Sequence, residues 1–408
     1  MRVLITLAAL LLAGSAQAEP LSFAAALALA ESTAPSLQAK ALQVSASRTA
    51  ARSAGALPDP KLALGVDNYP VSGPTAGRFG QDEMTMARIG IAQDVPNGAR
   101  RDAQVAAARA DIDMAEAQIA IERRKIRQST ALAWIDLVYA ERRLAALDGI
   151  TSGLEGLWKA QPATLASGAT RPGEALGPAR LRAEFEDTRS ELVANAARAR
   201  AELTRWTGEP TPSTVGAVPA FEVDPTTLRA ALDRHPTLAA YDSATRRAEV
   251  DIDAARAAKR PDWGWEASYG RRDPMFGDMV SAGVTISLPL FSGNRQDPLI
   301  AARILDANRV RIEREDARRT LAAALETALA DHTMHHEQWM RAKAVLVPTA
   351  EQRADLEVAS YAAGRAAFAD VSEALTALAG AKLQALEREA LVMRDGALIV
   401  LSYGSDDQ

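Results

Sequence analysis

Three of the four histidines fall in one short stretch, Asp331-His332-Thr333-Met334-His335-His336-Glu337. On a helix, His332, His335 and His336 stand at i, i+3 and i+4, a spacing that lets imidazoles converge on one ion. Neutral imidazole suits zinc, copper and nickel. The cluster is therefore a candidate weak metal site. The plainer reading is a polar helix face with a histidine packed beside Trp339. A second pair, Glu351 and Asp355, follows Pro348 at i, i+4, where acidic residues favour the positive end of a helix dipole. The run Glu122-Arg123-Arg124-Lys125-Ile126-Arg127 reads as a solvated helix face with local salt links.

Catalytic patterns are missing. His336-Glu337-Gln338-Trp339-Met340 opens like a zincin motif and lacks its second histidine. There is no Gly-x-Ser-x-Gly elbow and no phosphate-cradling glycine loop. With no cysteine in the chain, disulfides, thiolate metal sites, thiol catalysis and cysteine lipidation are all excluded. The sequence predicts a protein that is not an enzyme and carries no cofactor. Lys and Arg number 47 against 52 Asp and Glu, a net charge of −5 with no basic block, so no nucleic-acid partner is expected.

The elements that position these residues follow from length and composition. Alanine makes up about a fifth of the 408 residues while aromatics make up 5%, which favours long, closely packed helices over a thick core. The chain also repeats itself. Pro35-Ser36-Leu37 answers Pro236-Thr237-Leu238, and Pro58-Asp59 answers Pro261-Asp262. Asn97-Gly98-Ala99-Arg100 answers Ser292-Gly293-Asn294-Arg295. Later, Ser167-Gly168 matches Ala363-Gly364, and Trp206-Thr207-Gly208 matches Ser402-Tyr403-Gly404. The last three landmarks recur at an offset of roughly 195 residues, a two-fold duplication. The copies are expected at 19–208 and 226–408, joined by a Pro/Thr/Gly-rich linker at 209–225. Within them, 99–148 and 299–347 read as two uninterrupted helices, each about 73 Å long at ~1.5 Å per residue. The first should turn near Asp148-Gly149 and the second at Val347-Pro348, each followed by a returning helix. The histidines would then lie about 15 Å before a hairpin turn.

Ahead of each long helix the period changes to two. Strands are expected at about 61–69, 84–95, 262–270 and 280–290. Leu62, Leu64 and Val66 share one face, as do Trp263, Trp265, Ala267 and Tyr269, and Val284, Ile286 and Leu288. The segment 84–95 is less clean, because Arg88 shares a face with Met84 and Met86. One apolar face with outward Trp and Tyr matches a membrane β-barrel, although a soluble hairpin sheet would show the same period. Arg2, the apolar run Val3–Leu12 and Ala16-Gln17-Ala18 read as a signal peptide over 1–18. Four strands cannot close a barrel, which takes about eight, so a membrane reading requires several chains to pool their strands.

The order of these landmarks resembles the TolC-like outer-membrane efflux proteins over essentially the whole mature chain. Gln93-Asp94-Val95-Pro96-Asn97-Gly98-Ala99-Arg100 and Leu288-Pro289-Leu290-Phe291-Ser292-Gly293-Asn294-Arg295 carry it, each ahead of a long helix. Leu57-Pro58-Asp59-Pro60-Lys61-Leu62 and Ile91-Ala92-Gln93-Asp94-Val95-Pro96 are most similar to the heavy-metal-cation branch. The resemblance implies a mainly α protein with a membrane β-barrel. Three protomers would give four strands each to one barrel, and their helices would form a periplasmic tunnel. It implies a homotrimer in outer-membrane lipid, docked on a periplasmic adaptor (membrane fusion) protein and an inner-membrane resistance-nodulation-division pump. It also implies that Glu351 and Asp355 belong to a carboxylate ring at the tunnel entrance. Some members carry a lipidated N-terminal cysteine; this chain lacks one, so no lipid anchor is expected. The function implied is a passive exit duct for heavy-metal cations. The same duct serving drugs or a secreted protein, and a pore-less periplasmic adaptor or scaffold, are the alternatives.

Overall fold

The computed structural model describes residues 20–155, 158–159 and 176–404. The signal segment expected at 1–18 and the Ser167-Gly168 landmark lie outside the described residues. The chain divides into two units. One takes Met1–Pro35, Glu122–Leu232 and Ala322–Gln408, the other Ser36–Ile121 and Asp233–Leu321, so each draws segments from both sequence copies.

The same device opens both copies. Helix α1 (Phe23–Thr33) stops at Ala34, and α2 (Pro35–Ala51) begins on proline. The second copy has α5 (Pro225–Ala231), a 3₁₀ turn at Leu232–Arg234, and α6 (Pro236–Ala257), again beginning on proline. Proline has no N–H to satisfy and a preset φ, which suits the first helical position. Between them run α3 (Gly98–Gly153) and α4 (Gly177–Thr207). The second copy continues with α7 (Ser292–Arg341), a π-wound turn at Ala342–Leu346, α8 (Val347–Ala362) and α9 (Phe368–Tyr403).

Two helix ends differ from expectation. Helix α3 runs through Asp148-Gly149 to Gly153 and is 56 residues long. The chain does not turn at Val347-Pro348. The Val347 N–H reaches back five residues to the Ala342 carbonyl, and this wider winding lets the helix carry on past a proline that would otherwise clash with the preceding turn. The turn comes at Gly364, in the left-handed region at φ 70°. There the Arg365 N–H donates to the Ser360 carbonyl at 2.8 Å and the Gly364 N–H to the Tyr361 carbonyl at 2.9 Å, the bond pattern that closes a helix on glycine.

In the strand-bearing unit, β1 (Lys61–Asp67), β2 (Met86–Val95), β3 (Trp263–Arg271) and β4 (Met279–Ile286) form one antiparallel sheet in sequence order. Register fixes the faces. Leu62 lies opposite Ile91 and Leu64 opposite Ile89; Ile89 lies opposite Tyr269, and Tyr269 opposite Val280. Trp265 sits opposite Val284 and Trp263 opposite Ile286. All share one face. Arg88, which left the 84–95 segment ambiguous, falls on the other face with Met86. Strand β4 ends at Ile286, short of 290, because Pro289 has no N–H for a ladder and the Leu290 N–H turns back to Leu288 at 2.9 Å. The helices of this unit pack through small residues: Ala103, Ala110, Ala255, Ala257 and Ala307 are all buried. Arg247–Asp111 (2.6 Å), Arg314–Asp242 (2.6 Å) and Arg311–Glu249 (2.7 Å) tie them at the surface.

Among the described residues the helical unit has two cores. One surrounds Trp134, with Leu137, Leu203 and Ala397 fully buried, and Phe23 meets the indole edge-on at 5.5 Å between centroids. The Trp134 Nε1–H donates to the Leu21 carbonyl at 2.9 Å. Leu21 is itself held in extended pairing with Ser213 and Val215 of the inter-copy segment. The other core gathers Leu147, Leu181, Phe185, Phe368, Val371 and Leu375 at the hairpin ends.

Candidate functional site: a two-faced sheet and the hairpin ends

The sheet separates its chemistry by face. On the apolar face Leu62, Leu64, Val280 and Val284 are 68, 71, 80 and 70% exposed. Side chains this apolar and this exposed on one continuous face suit contact with lipid. The opposite face carries Lys61, Asp67, Arg88, Asp94, Glu266, Ser268, Ser281 and Thr285 with Gly65, Gly90, Gly264, Gly270 and Gly283. Four of its charges are matched in two cross-strand pairs, Lys61–Asp94 at 2.6 Å and Arg88–Asp67 at 2.8 Å. Glu266 has no ion-pair partner among the described residues. Its carboxylate lies over Gly283, where a Cβ would sit 3.0 Å from Oε1. Glycine thus leaves room for a side chain on a crowded polar face.

At the base of the sheet the two sequence copies are joined. The Asn97 side-chain amide and backbone N–H each donate to Asp262 Oδ1 at 2.8 Å, and Arg100 Nη1 reaches Oδ2 at 2.9 Å. Asn97 Oδ1 also accepts from the Arg100 N–H at 2.9 Å and so caps α3. The sequence marked both motifs only as breakers and landmarks; nothing local in it showed that they meet.

In the helical unit the three histidines do not meet at one point. His335 Nδ1 lies 2.7 Å from Asp395 Oδ2 of α9. His332 is packed towards Val392, with Nδ1 buried and without a hydrogen-bond partner. His336 turns to Trp339, ring edge to face at 5.8 Å, and lies 6.4 Å from His332 between centroids. Among the described residues no group of three or more His, Cys, Asp or Glu side chains is placed to hold a metal ion. The cluster stands about 27 residues, roughly 40 Å of helix, before the turn rather than ~15 Å. Asp395, the partner that orients His335, is distant in sequence and carried no signal.

Glu351 and Asp355 lie on α8 and precede the hairpin turn instead of following it. Glu351 pairs with Lys382 of α9 at 2.8 Å, while Asp355 is exposed. Beyond the turn, the Asp370 carboxylate accepts from the Ala367 N–H at 3.0 Å and starts α9. Phe368 packs on Tyr361 at 5.9 Å between ring centroids, and against Gly177 of α4 so closely that a Cβ there would lie 2.8 Å from its ring. A groove of about 710 Å³, lined by Gly177, Arg180, Glu184, Phe368, Ser372 and Glu373, runs along these ends.

Long paired helical hairpins with a four-stranded, two-faced sheet, duplicated within one chain, define the TolC-like fold of outer-membrane channels. Residues 227–397 match the family model described as Outer membrane efflux protein. The cobalt-zinc-cadmium resistance protein CzcC of Cupriavidus metallidurans is 24% identical over 375 residues, covering 90% of this chain and 86% of the relative. Among solved structures, a membrane protein from Pseudomonas aeruginosa superposes with TM-score 0.80 at 16% identity, covering 94% of this chain and 90% of the other. The Campylobacter jejuni CmeC outer membrane channel gives 0.78 at 13% identity, with 94% and 85% covered. No helix among the described residues is long and apolar enough to cross a membrane; the sheet is the element suited to lipid.

Proposed function

We propose that three copies of this chain pool their sheets into one closed barrel and their hairpins into a periplasmic tunnel, forming the exit duct of a tripartite pump for heavy-metal cations. The observation that carries this reading is the sheet itself. Strands β1 and β4 are its edges, its apolar face is exposed, and an unpaired edge in a bilayer costs several kcal/mol per buried backbone group. Pooling copies removes every edge at once and places the polar face inside, around water. Metal cargo is supported by the likeness to a cobalt-zinc-cadmium resistance protein. The energy for transport comes from partners, a periplasmic adaptor (membrane fusion) protein and an inner-membrane resistance-nodulation-division pump, since the sequence has no nucleotide-binding loop. The groove beside Phe368 is the surface offered to the adaptor.

Two measurements test this. The detergent-extracted protein should have the native mass of a trimer, and a deletion strain should accumulate one or more of cobalt, zinc, cadmium, copper, silver or nickel. A monomer released by osmotic shock would refute the duct. Sensitivity to dyes and antibiotics with normal metal content would move the cargo to drugs.

A further inference from the structure

The duplication makes the β2–β3 junction a template. There the second strand of the first copy meets the first strand of the second copy, and the joint is locked by Asp262 against Asn97 and Arg100. In a closed ring the second strand of the second copy, β4, meets the first strand of the first copy, β1, of the next chain. The equivalent motifs are Ser292-Gly293-Asn294-Arg295 ahead of α7 and Pro58-Asp59 ahead of β1. Within one protomer both are unused. Asp59 and Arg295 are exposed, and neither makes an ion pair or hydrogen bond among the described residues, whereas Asp262 and Arg100 are bonded at 2.9 Å. Two opposite charges left free at the positions where the internal copy is paired fit one occupant, a second copy of this chain.

We infer that Arg295 of one protomer pairs with Asp59 of the next, repeating between chains the Arg100–Asp262 lock found within the chain. Ser292 takes the place of Asn97 beside that carboxylate. The strand pairing follows the same template. Ile91 lies opposite Ala267 in the internal joint, and the matching positions bring Leu64 of one chain against Val284 or Ile286 of the next, with the apolar faces in phase. The inference rests on the trimeric reading above and adds the residues that seal its three joints. It gives the interface a polarity: the basic side is always α7 and β4, the acidic side always the segment before β1.

Charge reversal tests the lock. Arg295→Asp and Asp59→Arg should each cut the fraction of trimer surviving mild heating by about threefold or more, and the double reversal should restore it. The absence of cysteine permits a second readout that needs no loss of stability. Leu64→Cys combined with Val284→Cys or Ile286→Cys should give covalent dimers and trimers on oxidation, while each single variant stays monomeric in denaturing gels. As an internal standard, Ile91→Cys with Ala267→Cys should cross-link within one chain. A native trimer whose reversals are silent, or whose cross-links form only with Thr285→Cys, overturns this inference and leaves the duct standing. A protein of monomeric mass overturns both.

Discussion

The Glu351 carboxylate of α8 and the Lys382 ammonium of α9 face each other at 2.8 Å across the hairpin. Asp355, one turn further along the same helix, is exposed. The two carboxylates placed together by sequence are therefore unequal, because one already has a counter-charge. In planar bilayers, Asp355→Asn should lower the cation-to-anion permeability ratio by about twofold, and Glu351→Gln by less. Lys382→Met should raise it. Equal effects of the two carboxylate variants would show that the pair is not maintained in the channel.

Trp134 fills the centre of its core with no solvent exposure and donates to the Leu21 carbonyl. Trp134→Ala removes a large buried ring and should cost about 3–5 kcal/mol in denaturant unfolding. Trp134→Phe keeps most of the volume and removes one of the two donors to that carbonyl, which keeps the Val215 N–H at 3.1 Å, for about 1 kcal/mol. If both variants unfold at the wild-type midpoint, the core does not carry the fold.

Gly364 closes α8 at φ 70° with open space where a side chain would go. The cost of replacing it is thus conformational rather than steric. Gly364→Ala should destabilise by about 1–2 kcal/mol, the strain of an L-residue in the left-handed region. Gly364→Asn should cost less. Thermal melts of the two variants separate these values.

Burial holds the His332 imidazole below the ordinary histidine range; Asp395 pulls the other way, and His336 and His335 add repulsion. A histidine whose folded value lies below its unfolded value resists protonation on folding, so the unfolded chain binds more protons there. The contribution is complete above about pH 6.5, the unfolded value, and is lost as pH falls below it through the folded value. The melting temperature should decline between pH 7.5 and 5, and His332→Leu should flatten that slope. An unchanged slope would remove His332 as the cause.

The sheet predicts opposite tolerance on its two faces. In the proposed barrel, Val284→Arg places a charge on the lipid side and should cost about 2–4 kcal/mol near the bilayer centre. Ser281→Arg, on the polar face of the same strand, should be accepted. Recovery of heat-modifiable trimer from outer membranes measures both, and equal recovery would contradict the assignment of faces.

Much of this was legible in one dimension. Period two in Leu62-Ala63-Leu64 and Val284-Thr285-Ile286 determined which residues share a face, because side chains alternate along any strand. The duplicated Pro-Asp and Gly-x-Arg steps determined where strands and helices begin, and the lack of breakers determined that the helices are long. The alternation near Arg88 was decided only when pairing with β1 and β3 fixed its register. Gly364 stood out in the sequence as a duplicated landmark, but that the hairpin turns there rather than at Pro348 was decided only by the tertiary structure. Pro348 looks like a stop because a straight helix cannot admit it, yet one widened turn, stabilised by packing of α8 on α9, carries the helix through. The histidines show the limit most clearly. Their spacing allowed three rings to converge, but side-chain direction is set by what packs opposite. Asp395, Val392 and Trp339 drew the rings apart, and sequence spacing holds no record of a neighbour on another helix.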